Sequence, residues 1–206
     1  MPQIIFADDQ LVIVNKPADL LSVPGRGEDK QDCVWRRVQQ SFPTARIVHR
    51  LDYATSGLMV LALNADSHRL LSNEFQERRT QKSYQAIVYG TIKEETGEVT
   101  EPLRCDWDNR PLQIVDYEYG KNAHTRWKKL RDEPNGSRVQ LTPITGRSHQ
   151  LRVHMQFLGH PIIGDRFYAP DDAQALSHRL LLHAEQLGFN HPVSGDWQDF
   201  TAPVPF

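Results

Sequence analysis

The sequence predicts an α+β protein with a mostly antiparallel or mixed sheet, and three observations carry that expectation. Strand-like segments outnumber helical ones, and the two kinds do not alternate strictly as they would in a parallel α/β fold. Leu58 to Leu63 are six consecutive apolar positions, a run short enough for a strand covered on both faces; periodicity alone leaves a buried helix segment open. Asn122 near Gly120, and Asn135-Gly136, supply tight turns between three strand-like stretches.

Taken in order, Ile4 to Phe6 and Leu11 to Val14 read as short strands around the polar turn Ala7 to Gln10, and Asn15-Lys16-Pro17 ends the second. Leu20 to Gly27, with Pro24, is an irregular loop. Asp32 is placed to cap a helix through about Gln40, with Val34 and Val38 on one face and Pro43 marking its end. Asn64 or Asp66 caps a second helix to about Arg78, in which Leu70, Leu71 and Phe75 recur at helical spacing.

Tyr84 to Tyr89 alternate into a strand that ends at Gly90, and the polar run Lys93 to Glu98 reads as a loop. Cys105 to Pro111 is rich in turn formers. Ile114 to Tyr119, Ala123 to Leu130 and Arg138 to Ile144 are the three strand-like stretches. Thr145-Gly146-Arg147-Ser148 leads into a helix from His149 to Leu158, with His149, Arg152 and Gln156 on a polar face and Leu151, Met155 and Leu158 on an apolar one. Gly164 to Tyr168 is a loop, Asp171 to Ser177 a short helix, and Leu180 to Phe200 a hairpin around Pro192 and Gly195.

At 206 residues and 39% hydrophobic content the chain can bury a real core. No apolar run approaches the roughly 18 residues of a membrane span, and the N-terminus lacks a basic start followed by a long apolar segment. The expectation is a soluble cytoplasmic protein. Cys33 and Cys105 are too few and too isolated for a disulfide framework or zinc knuckle, so two reduced thiols are expected. His149 and His154 lie five apart, about 140° around a helix, which does not reproduce a metal-binding i, i+4 pair. No metal is expected.

A net charge of −2 argues at face value against nucleic acid. Its distribution weakens that objection. Between Lys121 and Arg152 there are eight basic residues against Asp132 and Glu133, whereas between Asp171 and Phe206 five acidic residues face Arg179 alone. A near-neutral protein can carry a basic face.

The stretch Ile47 to Leu63 holds a charged knot, His49, Arg50 and Asp52, followed by small and polar residues and then the apolar run. Asp52 therefore sits in a loop at the edge of the core, where an unpaired carboxylate is costly. A surface ion pair between Arg50 and Asp52 in a plain strand-loop-strand corner accounts for the composition about as well as a reactive site does. The run His49-Arg50-Leu51-Asp52-Tyr53-Ala54-Thr55-Ser56-Gly57 resembles the HRLDxxTSG signature of the RluA-type pseudouridine synthases. Gly146-Arg147-Ser148-His149-Gln150-Leu151-Arg152 resembles their GRxHQxR motif, and Lys82-Ser83-Tyr84 their KxY element.

The resemblance implies the pseudouridine-synthase fold: a single catalytic domain over residues 1–206 with a central mixed sheet, flanking helices and an active-site cleft, and no S4 domain. It implies an isomerase that needs no cofactor. Asp52 is the catalytic residue, attacking the nucleoside or assisting deprotonation of the sugar. Arg152 pairs with Asp52, and Tyr84 stacks on the target base.

His49, Arg50, Arg147, His149 and Leu182 fall among the RNA-contacting positions, with Leu182 of Leu182-His183-Ala184 forming an apolar wall and Arg50 filling the space of a flipped-out uridine. The implied partner is a structured stem-loop of 23S rRNA, the tRNA anticodon arm, or both, bound by a monomer. A non-catalytic RNA-binding module would need the basic face but not Asp52. A hydrolase pairing Asp52 with Asp106 or Asp108 would release free uracil or sugar.

Overall fold

The computed structural model describes all 206 residues. In chain order the elements are β1 (Gln3–Ala7), β2 (Leu11–Lys16), α1 (Val34–Gln39), β3 (Arg46–Ile47), β4 (Ser56–Ala62), α2 (Ala65–Gln76), β5 (Gln81–Tyr89), β6 (Thr96–Val99), β7 (Leu103–Cys105), β8 (Gln113–Val115), β9 (Thr125–Glu133), β10 (Gly136–Pro143), α3 (Gln150–Phe157), α4 (Asp171–Ala175), β11 (Leu182–Asn190) and β12 (Trp197–Thr201). Residues 1–82 and 183–205 form one compact unit; residues 83–182, with 206, form the other.

The first unit is organised around β4. All seven of its residues are buried, as the apolar run demands. β2 pairs with it antiparallel along its length, from Leu11 opposite Ala62 to Lys16 opposite Gly57. β11 pairs with its start in parallel, His183 with Ser56 and Ala184 with Gly57. β1 and β12 extend the sheet through β2 and β11, both antiparallel. Leu58, Val60 and Ala62 share a core with Leu11, Ile13, Leu187 and Phe189, and α2 covers it with Leu71 and Phe75. Asn64 caps α2, its side chain accepting from the Ser67 N–H at 2.9 Å.

The second unit holds an antiparallel run β5-β10-β9-β6 and the two-stranded β7-β8. The polar stretch expected as a loop, Lys93 to Glu98, contributes to β6. Only Val99 of that strand is buried, so the sequence shows no alternation. What holds it is its pairing with β9 and a close approach of the Trp127 indole over Gly97, which leaves no room for a Cβ. β8 is shorter than the expected Ile114 to Tyr119, because the Asp116 carboxylate accepts from the N–H groups of Glu118 and Tyr119 and turns the chain out.

Two helix starts also differ. The first N–H groups of α1, from Val34 and Trp35, are taken by the carbonyls of Leu21 and Ser22, so no side-chain cap is needed, and Asp32 pairs with Arg37 instead. α3 begins at Gln150, after His149 in the left-handed region at φ 52°. Of its expected polar face only Arg152 is buried, while Gln156 is exposed and His149 half-buried; Gln150 and His154 are buried as well, along with Leu151, Val153 and Met155.

Gly57 is a point where backbone geometry leaves no choice. Its φ is 119°, and a Cβ would collide with the Ala184 backbone across the parallel pair. Gly57→Ala should destabilise the chain by more than about 2 kcal/mol through strain and steric overlap. A urea midpoint equal to wild type would show that the β4-β11 register is not fixed here.

Candidate active site

The His49 to Gly57 run is a loop that enters β4, and its path is set by bonds to its backbone. Ser22 Oγ donates to the Leu51 carbonyl at 2.7 Å and accepts from the Leu51 N–H at 3.1 Å. Lys16 is fully buried. Its ammonium donates to the carbonyls of Pro17 at 2.9 Å, Leu20 at 2.7 Å and Tyr53 at 2.9 Å. An ammonium has three protons to give. Three carbonyls take the place of water around a charge whose burial would otherwise cost several kcal/mol.

Asp52 is thus held between two pinned residues, and its own carbonyl closes a turn with the Thr55 N–H at 3.2 Å. The Asp52 side chain is half-buried, whereas Arg50 and Tyr53 are exposed. Thr55, Ser56 and Gly57 are buried, and Ser56 Oγ lies 2.8 Å from His183 Nδ1.

His49 faces inward. One residue beyond the last β3 pair, Ile47 with Leu61, the Val60 N–H is taken by His49 Nε2 at 3.1 Å. The ring stacks on Phe75 with centroids 4.4 Å apart. Burial, and secondarily the Lys82 ammonium, push its pKa down to about 3. His49 is neutral at physiological pH, and its accepting nitrogen completes the sheet. Nothing local in the sequence signals this, since the role expected of His49 rests on its place in the motif.

In the second unit, Gln150 ties together the start of α3. Its side-chain oxygen accepts from Thr145 Oγ1 at 2.6 Å and the Arg147 N–H at 3.0 Å; its nitrogen donates to the His124 carbonyl and Thr125 Oγ1, both at 3.0 Å. One turn on, His154 Nε2 donates to the Glu101 carbonyl at 3.0 Å, so Nδ1 accepts from Thr125 Oγ1 at 2.9 Å. Burial lowers the His154 pKa and keeps the ring neutral.

Arg152 makes a two-pronged pair with Asp165, Nε to Oδ2 and Nη2 to Oδ1, both at 2.7 Å. Both groups are buried. Asp165 Oδ1 also accepts from the N–H groups of Phe167 and Tyr168, whose rings lie 5.3 and 5.0 Å from the Arg152 guanidinium carbon. His149 Nδ1 is 2.6 Å from Tyr168 Oη, and its ring stacks on Phe167. Arg147 is exposed, with Nε donating to the Asn122 carbonyl at 3.1 Å. Tyr84 is half-buried on β5 opposite Leu141 of β10, and Leu182, first residue of β11, is buried.

Sequence reasoning missed Lys16, Ser22, Gln150 and Asp165. By local pattern Asn15-Lys16-Pro17 is only a strand end and Gly164 to Tyr168 only a loop. A lysine inside an apolar strand, and a lone acid amid aromatic and glycine residues, are the signals that were there to find.

Two outcomes follow from this geometry. The neutral form of His49 is favoured by folding, so its contribution is present above the unfolded value near 6.5 and is lost progressively as pH falls from there toward 3. His49→Gln, which keeps an acceptor but cannot charge, should flatten that part of the stability profile measured by urea midpoints; an unchanged slope would remove His49 as its source. Asp165→Ala, which leaves a buried guanidinium without this carboxylate, should cost about 3–5 kcal/mol. Thermal unfolding indistinguishable from wild type would contradict it.

Comparison with known proteins agrees with the motifs. The sequence profile described as RNA pseudouridylate synthase matches residues 10–157. The chain is 52% identical over 204 residues to "Dual-specificity RNA pseudouridine synthase RluA" of Pasteurella multocida and to the protein of that name from Escherichia coli K12, in each case covering 98% of this chain and 93% of the relative. Among solved structures, "Human RNA Pseudouridylate Synthase Domain Containing 1" matches with a TM-score of 0.83 and 29% identity over all of this chain and 84% of that one. The α+β arrangement described above is thus that of a pseudouridine synthase, and the chain belongs to the RNA pseudouridylate synthase family.

Proposed function

We propose that the protein converts specific uridines to pseudouridine in stem-loops of both ribosomal RNA and tRNA, with Asp52 as the catalytic residue. The observation that carries this is the loop around Asp52. Pinned at Leu51 by Ser22 and at Tyr53 by Lys16, it presents one half-buried carboxylate from a backbone with little freedom, as a residue needs when it must act within a few tenths of an ångström.

In the reaction the bond from C1′ to N1 breaks, the uracil turns in place, and C1′ rejoins at C5, whose proton leaves as N1 gains one. Atoms and electrons balance without water, oxidant or reductant. Asp52 starts the sequence either by attacking the nucleoside or by assisting removal of a sugar proton. Arg152 is assigned as the cation that keeps Asp52 ionised, on the strength of the two motifs. Tyr84 stacks on the uracil and handles the C5 proton.

A uridine in a stem or stacked loop must first leave the stack, at a cost of a few kcal/mol. Arg50, exposed two residues before Asp52, fills the vacated space with a planar cation. His149, Arg147 and Leu182 contribute to holding the RNA. His49, neutral and built into the sheet, contributes by fixing the loop. The proposed working form is a cytoplasmic monomer with one catalytic domain.

Tritium release from RNA labelled at uridine C5 tests the reading directly, with stem-loops from both RNA classes. Asp52→Asn should abolish release while RNA binding persists. Tyr84→Phe should keep binding but lower turnover on the order of 10²–10⁴-fold, the range for a lost proton-transfer group. Wild-type protein that releases no tritium from any stem-loop, or Asp52→Asn that turns over normally, would overturn the assignment.

A further inference from the structure

Tyr53 is unused by the reaction described above, and its setting is unusual for a surface aromatic. Its side chain is 51% exposed, while its carbonyl is fixed by the buried Lys16 ammonium and its neighbours Asp52 and Thr55 close a turn. Isolated exposed aromatics are common and usually need no explanation. Here, however, the backbone has been immobilised and the ring left outside, so little conformational entropy remains to be lost when something stacks on it.

What stacks on it follows from position. Tyr53 adjoins Asp52, and Arg50, also exposed, lies on the other side. Three residues of chain span at most about 10 Å, close to three nucleotides of a stacked strand at about 3.4 Å each. With Arg50 in the gap left by the extruded uridine, Tyr53 is within reach of a base next to that gap. Extrusion leaves that neighbour with one face unstacked. A tyrosine ring covers such a face without reading its edge.

We propose that Tyr53 is a stacking platform for a nucleobase flanking the target uridine, favouring a purine there through its larger face. The proposal rests on the RNA-isomerase reading above. It makes Tyr53 a substrate-binding residue that sets flanking-base preference, not a participant in proton transfer.

The test is a cycle between protein and RNA. Wild type, Tyr53→Phe and Tyr53→Leu are compared on a stem-loop substrate carrying an abasic site immediately 5′ or 3′ of the target, with tritium release and RNA binding measured separately. The side chain is exposed and the bonded group is backbone, so both variants should fold; unfolding temperatures check this. On intact RNA, Tyr53→Leu should weaken binding and raise KM about tenfold, within the range of base-aromatic stacking, with kcat within about twofold of wild type and Tyr53→Phe close to wild type. Removing one of the two flanking bases should cost wild type a similar factor and Tyr53→Leu almost nothing, because the partner is already gone.

Losses that simply multiply, at both flanks, overturn the Tyr53 proposal and leave the isomerase reading standing. So does a Tyr53→Leu enzyme equal to wild type, or one that loses kcat alone. Wild-type protein inactive on every stem-loop overturns both.

Discussion

The buried ammonium of Lys16 is the interaction on which the candidate site depends. β2 is apolar up to Val14, and its last residue lies opposite Gly57 in the centre of the sheet. An ion in that position is stable only if every proton finds an acceptor. The acceptors are carbonyls from three places, Pro17, Leu20 and Tyr53, so satisfying one charge fixes the exit of β2, the loop after it, and the residue that follows Asp52. Ser22 then meets Leu51 from the same loop. The ammonium and the Ser22 hydroxyl thus hold the backbone of the residues on either side of Asp52.

A related solution appears in the second unit, where α3 buries three polar side chains, Gln150, Arg152 and His154. Gln150 and His154, one turn apart, share Thr125 Oγ1 as a common partner and anchor the helix to β9. Arg152 between them projects to Asp165, which in turn gathers two backbone N–H groups. Each member is supplied with partners, the condition under which a buried network rigidifies a structure instead of weakening it. The motif Gly146 to Arg152 therefore does two jobs. Its glutamine builds the corner, and its arginine is oriented by a carboxylate thirteen residues on.

How much of this was legible depended on whether the controlling contacts were local. β4, α2, α4 and the β11-β12 hairpin are written in runs, spacings and turn residues, and they stand close to where the sequence put them. β6 was not, because an edge strand with one buried residue has no alternation to read. Asp32 does not cap α1, because the carbonyls that serve the helix come from Leu21 and Ser22, at least ten positions earlier. For the site, composition and period identified a costly carboxylate in a loop, and resemblance named its neighbours. The partners that are distant in sequence, Lys16 for Tyr53 and Asp165 for Arg152, left no periodic trace.

The nine-residue run that carries the resemblance is mostly a folding device. His49 finishes the sheet at Val60, Leu51 is buried and doubly bonded to Ser22, Ser56 meets His183, and Gly57 occupies a backbone conformation closed to other residues by Ala184. Only Arg50, Asp52, Tyr53 and Ala54 turn any appreciable surface outward from the loop's remaining length. A match to such a motif is thus evidence first for a loop geometry, and through that geometry for the chemistry of the one carboxylate it presents. The folding constraint falls on the buried residues of the loop and on its backbone, which leaves Arg50 and Tyr53 exposed on either side of the half-buried Asp52.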